Sequence, residues 1–268
     1  MMYMLIMGIS GCSWKPNQNM AEYSESFFAM DTYMTFTAYG MDAEAAVLVA
    51  EDKIGELEAL WSVTDKNSDI YAVNHSAGRA VKVNQKTAEL ISFALDMAEK
   101  TNGVLELTIY PVLTAWGFTT GENRIPTEIE LAELLDKVGY EKVKLNENQI
   151  QTEPGSTIDM GAVGKGYAGD EVAQVLRECG ITAALLDIGV ENGIASVSVI
   201  ASEGKLCDAL STALFVMGLE QAKEYWRQRQ DYEMILIMED GNIYLTEGMR
   251  DRFSLNSNYK DMNINVID

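Results

Sequence analysis

The sequence is poor in the residues on which several kinds of protein chemistry depend. It has a single histidine, His75, and only three cysteines among 268 residues. One histidine excludes a zinc site built from several histidines, and three cysteines cannot form a disulfide framework. Basic residues are also few, since 20 Lys and Arg against 41 Asp and Glu give a net charge of −21. Phosphate backbones and anionic lipid surfaces repel such a chain, so we expect no nucleic-acid partner and no direct membrane binding.

The N-terminal residues 1–12 form an apolar run that is too short to cross a bilayer as a helix. The run ends in Ile-Ser-Gly-Cys at residues 9–12, which resembles a bacterial lipoprotein signal that is cleaved before a lipidated cysteine. On this interpretation residues 1–11 are a signal peptide, 12–26 a tether and 27–268 the folded domain, held at the outer side of the membrane only by lipid. No Lys or Arg precedes the run, and a buried N-terminal strand is the alternative.

Residue patterns along the rest of the chain predict a single α+β domain with a sizeable core, since 47% of residues are hydrophobic. Apolar residues at helical spacing, with Asp42 and Asn84 as caps and a capping box at 127–130, predict helices. The predicted helices cover residues 42–61, 85–100, 127–138, 167–178, 205–217 and 220–229. Predicted strands cover residues 27–39, 181–188, 194–201, 232–238 and 242–246. One hairpin is predicted over 142–152, and Glu239-Asp240-Gly241 predicts a second between 232–238 and 242–246. The strand over 181–188 is expected to be buried on both faces, whereas residues 62–83 and the tail after Arg252 are predicted loops.

The densest motif, Asp-Met-Gly-Ala-Val-Gly-Lys-Gly-Tyr, occupies residues 159–167. Its glycines allow the backbone to approach a ligand closely. A helix predicted to begin there would direct free N–H groups and a positive dipole end at a phosphate, and Lys165 would add a charge. The motif is neither a P-loop nor a dinucleotide fingerprint. An ordinary glycine-rich turn with a surface lysine explains the spacing equally well.

A second candidate site lies on the helix predicted over residues 205–217. Asp208 and Thr212 are one helical turn apart, which places a carboxylate and a hydroxyl on the same face. These two oxygens can bind a hard cation such as Mg²⁺ if carbonyl or phosphate oxygens complete the coordination shell. A solvated aspartate with a threonine that bonds back to its own helix is the alternative, and such pairs are common.

Two further features carry less information. Aromatic residues around Tyr110 and in Trp116-Gly117-Phe118 can wall a flat ring system, although clusters of this kind more often belong to the core. His75 falls in a predicted surface loop without a serine or cysteine nucleophile pattern nearby, so it does not indicate a catalytic triad.

Taken in order, these segments resemble the ApbE family of FAD:protein FMN transferases. The most specific matches are Asp-x-Gly-x-x-x-Lys-Gly-Tyr at 159–167 and Asp-Ala-x-x-Thr-Ala at 208–213. The matching segments are residues 29–32, 61–62, 68–74, 103–118, 157–170, 181–189, 195–201 and 208–215. The resemblance implies a single ApbE-like, T-fold-related α+β domain with mixed or antiparallel sheets and flanking helices.

The resemblance also implies an activity and a set of site residues. Such enzymes use Mg²⁺ to cleave FAD, attach FMN to a Ser or Thr of a target protein and release AMP. The targets are typically subunits of membrane redox complexes, which suits a lipid-anchored protein of the bacterial cell envelope. The implied metal ligands are Asp208, Thr212 and the backbone carbonyl near Ala162. The implied FAD-binding residues are Met30, Asn74, Trp116, Asp159, Lys165 and Gly166.

The chain departs from the family after Gly189, where members carry a long segment with a His-x-x-Asp-Pro motif. Here Val-Glu-Asn-Gly at 190–193 leads directly to the next predicted strand. The histidine of that segment is thought to act as base on the acceptor hydroxyl, and His75 is not at a matching position. Two alternative functions therefore stay open: an FAD pyrophosphatase that forms FMN and AMP, and a non-catalytic FAD-binding lipoprotein.

Overall fold

The computed structural model describes residues 21–119, 122, 124–181, 183–187, 196–238, 242–255 and 262–268. The helices are α1 (Ala43–Trp61), α2 (Asp69–Asn74), α3 (Gln85–Lys100), α4 (Tyr110–Trp116), α5 (Glu128–Leu135), α6 (Gly164–Glu178) and α7 (Gly204–Arg229). The strands are β1 (Glu22–Ala29), β2 (Thr32–Tyr39), β3 (Val81–Lys82), β4 (Val143–Asn146), β5 (Gln149–Thr152), β6 (Ala183–Asp187), β7 (Val197–Ile200), β8 (Glu233–Ile237), β9 (Ile243–Thr246) and β10 (Ile264–Ile267). Within these ranges no helix combines the length and apolar character needed to cross a membrane.

The first sheet has the strand order β1-β2-β6 and is antiparallel. The single strand predicted over 27–39 is in fact the hairpin of β1 and β2. Residues 22–26, predicted as tether, form the first part of β1, because Tyr23 and Phe27 alternate towards the core. The predicted signal peptide and the tether up to residue 20 lie outside the described residues.

A tight turn at Met30 and Asp31 joins β1 to β2. Both residues have left-handed backbone angles, with φ of 49° and 58°, which is the pattern of a type I′ hairpin turn. Neither residue is the glycine or asparagine that such a turn favours, so the turn is strained. Glu58 on α1 stabilises it, since its Oε1 accepts the Met30 N–H at 2.8 Å.

Relief of this strain is the first testable expectation. Asp31→Gly should raise the free energy of unfolding by about 0.5–1 kcal/mol, because glycine adopts a positive φ without a steric penalty. Glu147→Gly is the matched control, since Glu147 has a φ of 52° in the β4–β5 hairpin. Urea unfolding measures both variants. If Asp31→Gly loses stability and Glu147→Gly does not, the Asp31 side chain stabilises the fold by more than its backbone strain destabilises it.

Strand β6 does not have the burial expected for residues 181–188. Leu185 is 66% exposed, and within the described sheet β6 pairs only with β2. A strand at the edge of an antiparallel sheet keeps one face in solvent, so an apolar sequence alone did not establish burial on both faces. Residue 188 and its successors to 195 lie outside the described residues.

The second sheet has the order β10-β9-β8-β7, and the third has the order β3-β5-β4. Antiparallel pairing of β8 with β9 and of β4 with β5 confirms both predicted hairpins, although the predicted Glu239-Asp240-Gly241 turn lies outside the described residues. The tail was wrongly predicted as loop throughout. Ile264–Ile267 pairs in parallel with Ile243–Thr246, with Val266 packed on the small cluster around β9 and Ile267 in the main core.

Helix ends follow the predicted capping residues in part. Asn84 accepts the Lys86 N–H at 2.9 Å, and Thr127 accepts the Glu130 N–H at 3.2 Å, as expected for helix caps. Glu130 does not complete the capping box, since its carboxylate pairs with Arg124. Asp42 precedes α1 without a side-chain cap bond. Helix α2, in a region predicted as loop, begins at a cap that sequence analysis missed: Ser68 accepts the Tyr71 N–H at 2.9 Å.

Helices α6 and α7 cross closely at two glycines. A Cβ atom on Gly166 would lie 2.6 Å from Asp208 Cβ, and one on Gly204 would lie 2.9 Å from the Gly166 carbonyl oxygen. Helix α7 contains a break at Gly218, where φ is 71° and ψ is 174°, so the two helices predicted on either side of residue 218 are confirmed. Helix α1 also packs against α6. The first turn of α6 is therefore held between neighbours, and it faces the candidate site.

Candidate active site

A cavity of about 630 Å³ opens between the β1–β2 turn, the end of α1 and the start of α6. Its lining residues are Phe28, Met30, Asp31, Glu58, Trp61, Ser62, Val63, Thr64, Phe118, Thr119, Asp159, Met160, Gly161, Gly164 and Lys165. Three of the residues predicted to bind FAD, namely Met30, Asp159 and Lys165, thus share one cavity. Phe28 and Phe118 are 60% and 69% exposed at the cavity, so its walls are partly aromatic.

A side chain outside the cavity fixes the loop that carries Asp159. The amide of Asn74 donates to the Ile158 carbonyl at 2.8 Å and accepts the Ile158 N–H at 2.7 Å. The Asp159 N–H donates to the Leu107 carbonyl at 2.8 Å. Asn74 was predicted to contact FAD, but it does not line the cavity. In the structure it positions the residue before Asp159.

The Asp159 carboxyl is an acid that is difficult to ionise. Burial raises its pKa, and the nearby Asp31 carboxylate adds to that rise. The Gly161 N–H, which donates to Asp159 Oδ1 at 2.7 Å, and the Lys165 ammonium oppose the rise in part. A cationic ligand, or a Lys165 ammonium closer to the carboxylate, would therefore favour the charged form of Asp159.

This pKa shift predicts a pH-dependent loss of stability. Between the ordinary value of 3.8 and the raised pKa, folded Asp159 binds more protons than unfolded Asp159, so the free energy of unfolding falls as the pH rises. Asp159→Asn removes this contribution while its side-chain oxygen still accepts the Gly161 N–H. The stability difference between variant and wild type should therefore grow in favour of the variant from about pH 4 to about pH 7. If the free energies of unfolding in urea of variant and wild type differ by the same amount at every pH in that range, the raised pKa of Asp159 is contradicted.

The first turn of α6 is capped by a side chain from α7. Val163 stands at the N-cap position and supplies no side-chain hydrogen bond. Asp208 supplies it instead, since its Oδ2 accepts the Gly166 N–H at 2.9 Å. Burial raises the pKa of Asp208, and the Gly166 N–H and the Lys165 ammonium offset that rise in part. The acid and the glycine turn, far apart in sequence, are thus in direct contact.

The remaining predicted residues are not part of the cavity lining. Thr212 donates its hydroxyl to the Asp208 carbonyl of its own helix at 3.2 Å. This is the back-bonded threonine of the alternative interpretation, and its oxygen keeps lone pairs for a further partner. Ala162 precedes Lys165 by three residues and Gly166 follows it directly, but neither of them lines the cavity. Trp116, at the end of α4, is also not a lining residue, whereas Phe118 lines the cavity.

Sequence reasoning missed two carboxylates near the site. Glu58 lines the cavity and holds the Met30 turn, yet on α1 it is an ordinary half-buried helical glutamate with no motif around it. Asp170 accepts N–H groups from the start of α7, at 2.6 Å from Gly204 and 2.9 Å from Lys205. Its position one turn after Gly166 was a usable signal, because residues four apart share a helix face.

A model of the ApbE family matches the chain over residues 30–191 and again over residues 188–236. The chain belongs to the ApbE family. The flavinyltransferase class predicted from the motifs is confirmed at the level of this family, and so is the α+β fold. The two parts of the match meet at residues 188–191, which is where the sequence departs from the family pattern.

Curated ApbE relatives are longer inside the aligned region. A protein of Klebsiella pneumoniae named FAD:protein FMN transferase is 24% identical over 305 aligned residues, covering 89% of this chain and 96% of the relative. A protein of the same name from Escherichia coli K12 is 22% identical over 321 residues, covering 88% and 91%. Both alignments exceed the 268 residues of this chain, so these relatives contain residues that have no counterpart in it.

Solved ApbE structures have the same fold. The ApbE protein of Thermotoga maritima superimposes with a TM-score of 0.77 at 20% identity, covering 88% of this chain and all of the other. The flavin transferase ApbE of Vibrio cholerae gives 0.76 at 18% identity, covering 87% of this chain and all of the other. The shared architecture holds although few residues are identical.

Proposed function

We propose that this ApbE protein transfers FMN from FAD to a Ser or Thr hydroxyl of an acceptor protein, with Mg²⁺ as cofactor and AMP as the leaving group. The observation that carries the proposal is the contact between Asp208 and the first turn of α6 at the edge of the cavity. The names of the curated relatives support the same reaction.

The start of α6 provides the features that a diphosphate requires. Gly164 and Lys165 line the cavity at the positive end of a 15-residue helix. Lys165 forms no ion pair with any described residue, so its ammonium is available to an anion. Because the whole chain has a net charge of −21, this local positive region must attract the anionic substrate.

The residues beside α6 fit a magnesium ion. Within the described ranges no three His, Cys, Asp or Glu side chains form a metal cluster, so a site here would have at most two such ligands. Mg²⁺ is commonly held by one or two carboxylates together with substrate phosphates. Asp208 Oδ1, the Thr212 hydroxyl and the Ala162 carbonyl are the proposed protein ligands. A cation would also offset the burial that raises the pKa of Asp208.

The chain's own residues would then bind and orient the diphosphate for in-line attack. When bound, Mg²⁺ neutralises charge that develops on the phosphate oxygens as the bond to AMP breaks. The Lys165 ammonium would hold the same oxygens, because the Gly164 and Gly166 N–H groups already donate to the Met160 carbonyl and to Asp208. Met30, with Phe28 and Phe118, would offer an apolar surface to the flavin ring, and Asp159 lines the same cavity near Lys165. The acceptor hydroxyl would attack the phosphorus of the FMN half of FAD, so that a new phosphoester bond forms as the bond to AMP breaks, and its proton would pass to the departing AMP phosphate or to water.

FAD hydrolysis is the second candidate function, because no histidine lines the cavity as described. His75 is exposed at the end of α2, stacked on Tyr71 with ring centroids 3.7 Å apart, and its Nδ1 bonds to the Tyr71 carbonyl at 2.8 Å. An imidazole engaged there cannot take a proton from an acceptor hydroxyl at the cavity. Water could then replace the acceptor, giving FMN and AMP.

The place of action is also a proposal. A lipid anchor at Cys12 would hold the domain at the outer face of the cytoplasmic membrane of a bacterium. An acceptor there would be a subunit of a membrane redox complex. This proposal rests on the sequence of residues 1–12 alone.

One incubation separates the candidate functions. The protein is mixed with FAD, Mg²⁺ and an acceptor domain from a membrane redox complex, and intact mass and released AMP are measured. An FMN adduct with equal AMP is expected for the transferase, and AMP without an adduct indicates the hydrolase. Quenched FAD fluorescence with neither product indicates a binding protein. Intact FAD with no binding would overturn all three.

A further inference from the structure

Helices α6 and α7 cap each other's N-termini. Asp208 on α7 accepts the Gly166 N–H of α6, and Asp170 on α6 accepts the N–H groups of Gly204 and Lys205 on α7. The N–H groups in the first turn of a helix have no acceptor within that helix. Glu203, at the N-cap position of α7, supplies no side-chain bond, so Asp170 takes that role.

The two capping carboxylates act across one close crossing. Gly166 and Gly204 pack backbone against backbone between them, so neither helix start can slide without straining the other. Asp208 is one turn beyond Gly204 and therefore belongs to the segment that Asp170 fastens. The separation between the Asp208 carboxylate and the first turn of α6 depends on both caps.

We propose that Asp170 is a positioning residue for the reaction, which holds Asp208 at the distance from α6 that cation binding requires. The proposal rests on the proposed function, in that it takes Asp208 as a cation ligand. Asp170 does not line the cavity. It acts only through the start of α7.

The test measures cation binding in the full chain. Mn²⁺ is titrated by electron paramagnetic resonance, with and without FAD, into the wild type, Asp170→Ala, Asp170→Asn and the control Asp52→Ala. Asp52 is exposed on α1, and neither α6 nor α7 contains it. Asp170→Ala should weaken Mn²⁺ binding about tenfold or more, as the loss of a residue supporting a metal ligand does. Asp170→Asn, which keeps one acceptor oxygen, should lose roughly threefold or less, and Asp52→Ala should be unchanged.

Activity provides a second readout. In Asp170→Ala the Mg²⁺ concentration for half-maximal turnover should rise by a similar factor, whereas kcat at saturating Mg²⁺ should recover. A lower melting temperature with unchanged Mn²⁺ affinity would overturn the proposal, because Asp170 would then be only a helix cap. If Asp170→Ala does not fold, Asp170→Ser replaces it, since its short side chain cannot reach both N–H groups.

The same data separate this inference from the proposed function. A wild type that binds Mn²⁺ with the expected dependence on Asp170, but forms neither adduct nor AMP, would refute the transferase and support the positioning role. A wild type that binds no Mn²⁺, with or without FAD, would refute the positioning role. A wild type that transfers FMN while Asp170→Ala binds Mn²⁺ normally would refute the positioning role alone.

Discussion

FMN transfer by the Asp208→Asn variant is expected to fall by about 10²–10³-fold relative to wild type, the usual cost of removing a preorganised electrostatic group. Asparagine keeps an oxygen that can accept the Gly166 N–H, whose bond to Asp208 is 2.9 Å long, but it loses the charge that a cation requires. The free energy of unfolding should therefore change little while activity is lost. AMP release at varied Mg²⁺ and urea unfolding measure the two effects separately.

Asp208→Ala tests the capping role of the same side chain. Alanine removes the acceptor as well as the charge, so the partly buried Gly166 N–H loses its partner and the protein should lose about 1–3 kcal/mol of stability. Thr212→Ala should reduce activity without this loss, because its hydroxyl donates only to the Asp208 carbonyl of its own helix. Near-wild-type activity with unchanged Mg²⁺ dependence in Asp208→Asn would exclude Asp208 as a metal ligand.

Gly166→Ala is expected to destabilise the protein by about 2–3 kcal/mol, a large effect for one methyl group. The added Cβ would meet the Gly204 carbonyl oxygen and lie 2.6 Å from Asp208 Cβ, and both are on a rigid helix. Helix α7 must move away to accommodate it. This displacement carries Asp208 away from α6, so FMN transfer and AMP release should fall as well.

Gly55→Ala is the matched control for this substitution. Gly55 is exposed on α1, and a Cβ atom there would meet nothing within 4 Å. Alanine is the better helix former, so this variant should gain about 0.5–1 kcal/mol and keep its activity. Thermal unfolding of both variants measures the contrast. If Gly166→Ala unfolds like wild type, the close crossing of α6 and α7 is not a constraint on the fold.

Local signals in the sequence predicted most of the secondary structure. Asn84 and Thr127 cap the helices that follow them, and the turn at Glu147 joins two short strands, because such features depend on a few neighbouring residues. Ser68 shows the limit of this approach, since it caps a six-residue helix too short for a visible apolar period. Ile264–Ile267 shows another, because its strand exists only through pairing with β9.

The candidate site was predicted only in part. The glycine motif and Asp208 were recognised as separate features, but their 2.9 Å contact follows from how α6 and α7 cross, which no local pattern contains. Asn74 was predicted to bind FAD, and in the structure its amide bonds to the Ile158 backbone outside the cavity lining. Glu58 and Asp170 carry out their roles through backbone N–H groups, and a sequence does not reveal which N–H groups lack an acceptor.

The Asn74 amide also bears on the thermodynamics of ligand binding. It joins positions 84 residues apart, and together with the Leu107 carbonyl it engages the N–H groups of Ile158 and Asp159. Slow hydrogen exchange at these two amides is the expected signature in the free protein. A loop that is already ordered contributes no folding entropy penalty when a nucleotide arrives, so more of the contact energy is retained as affinity.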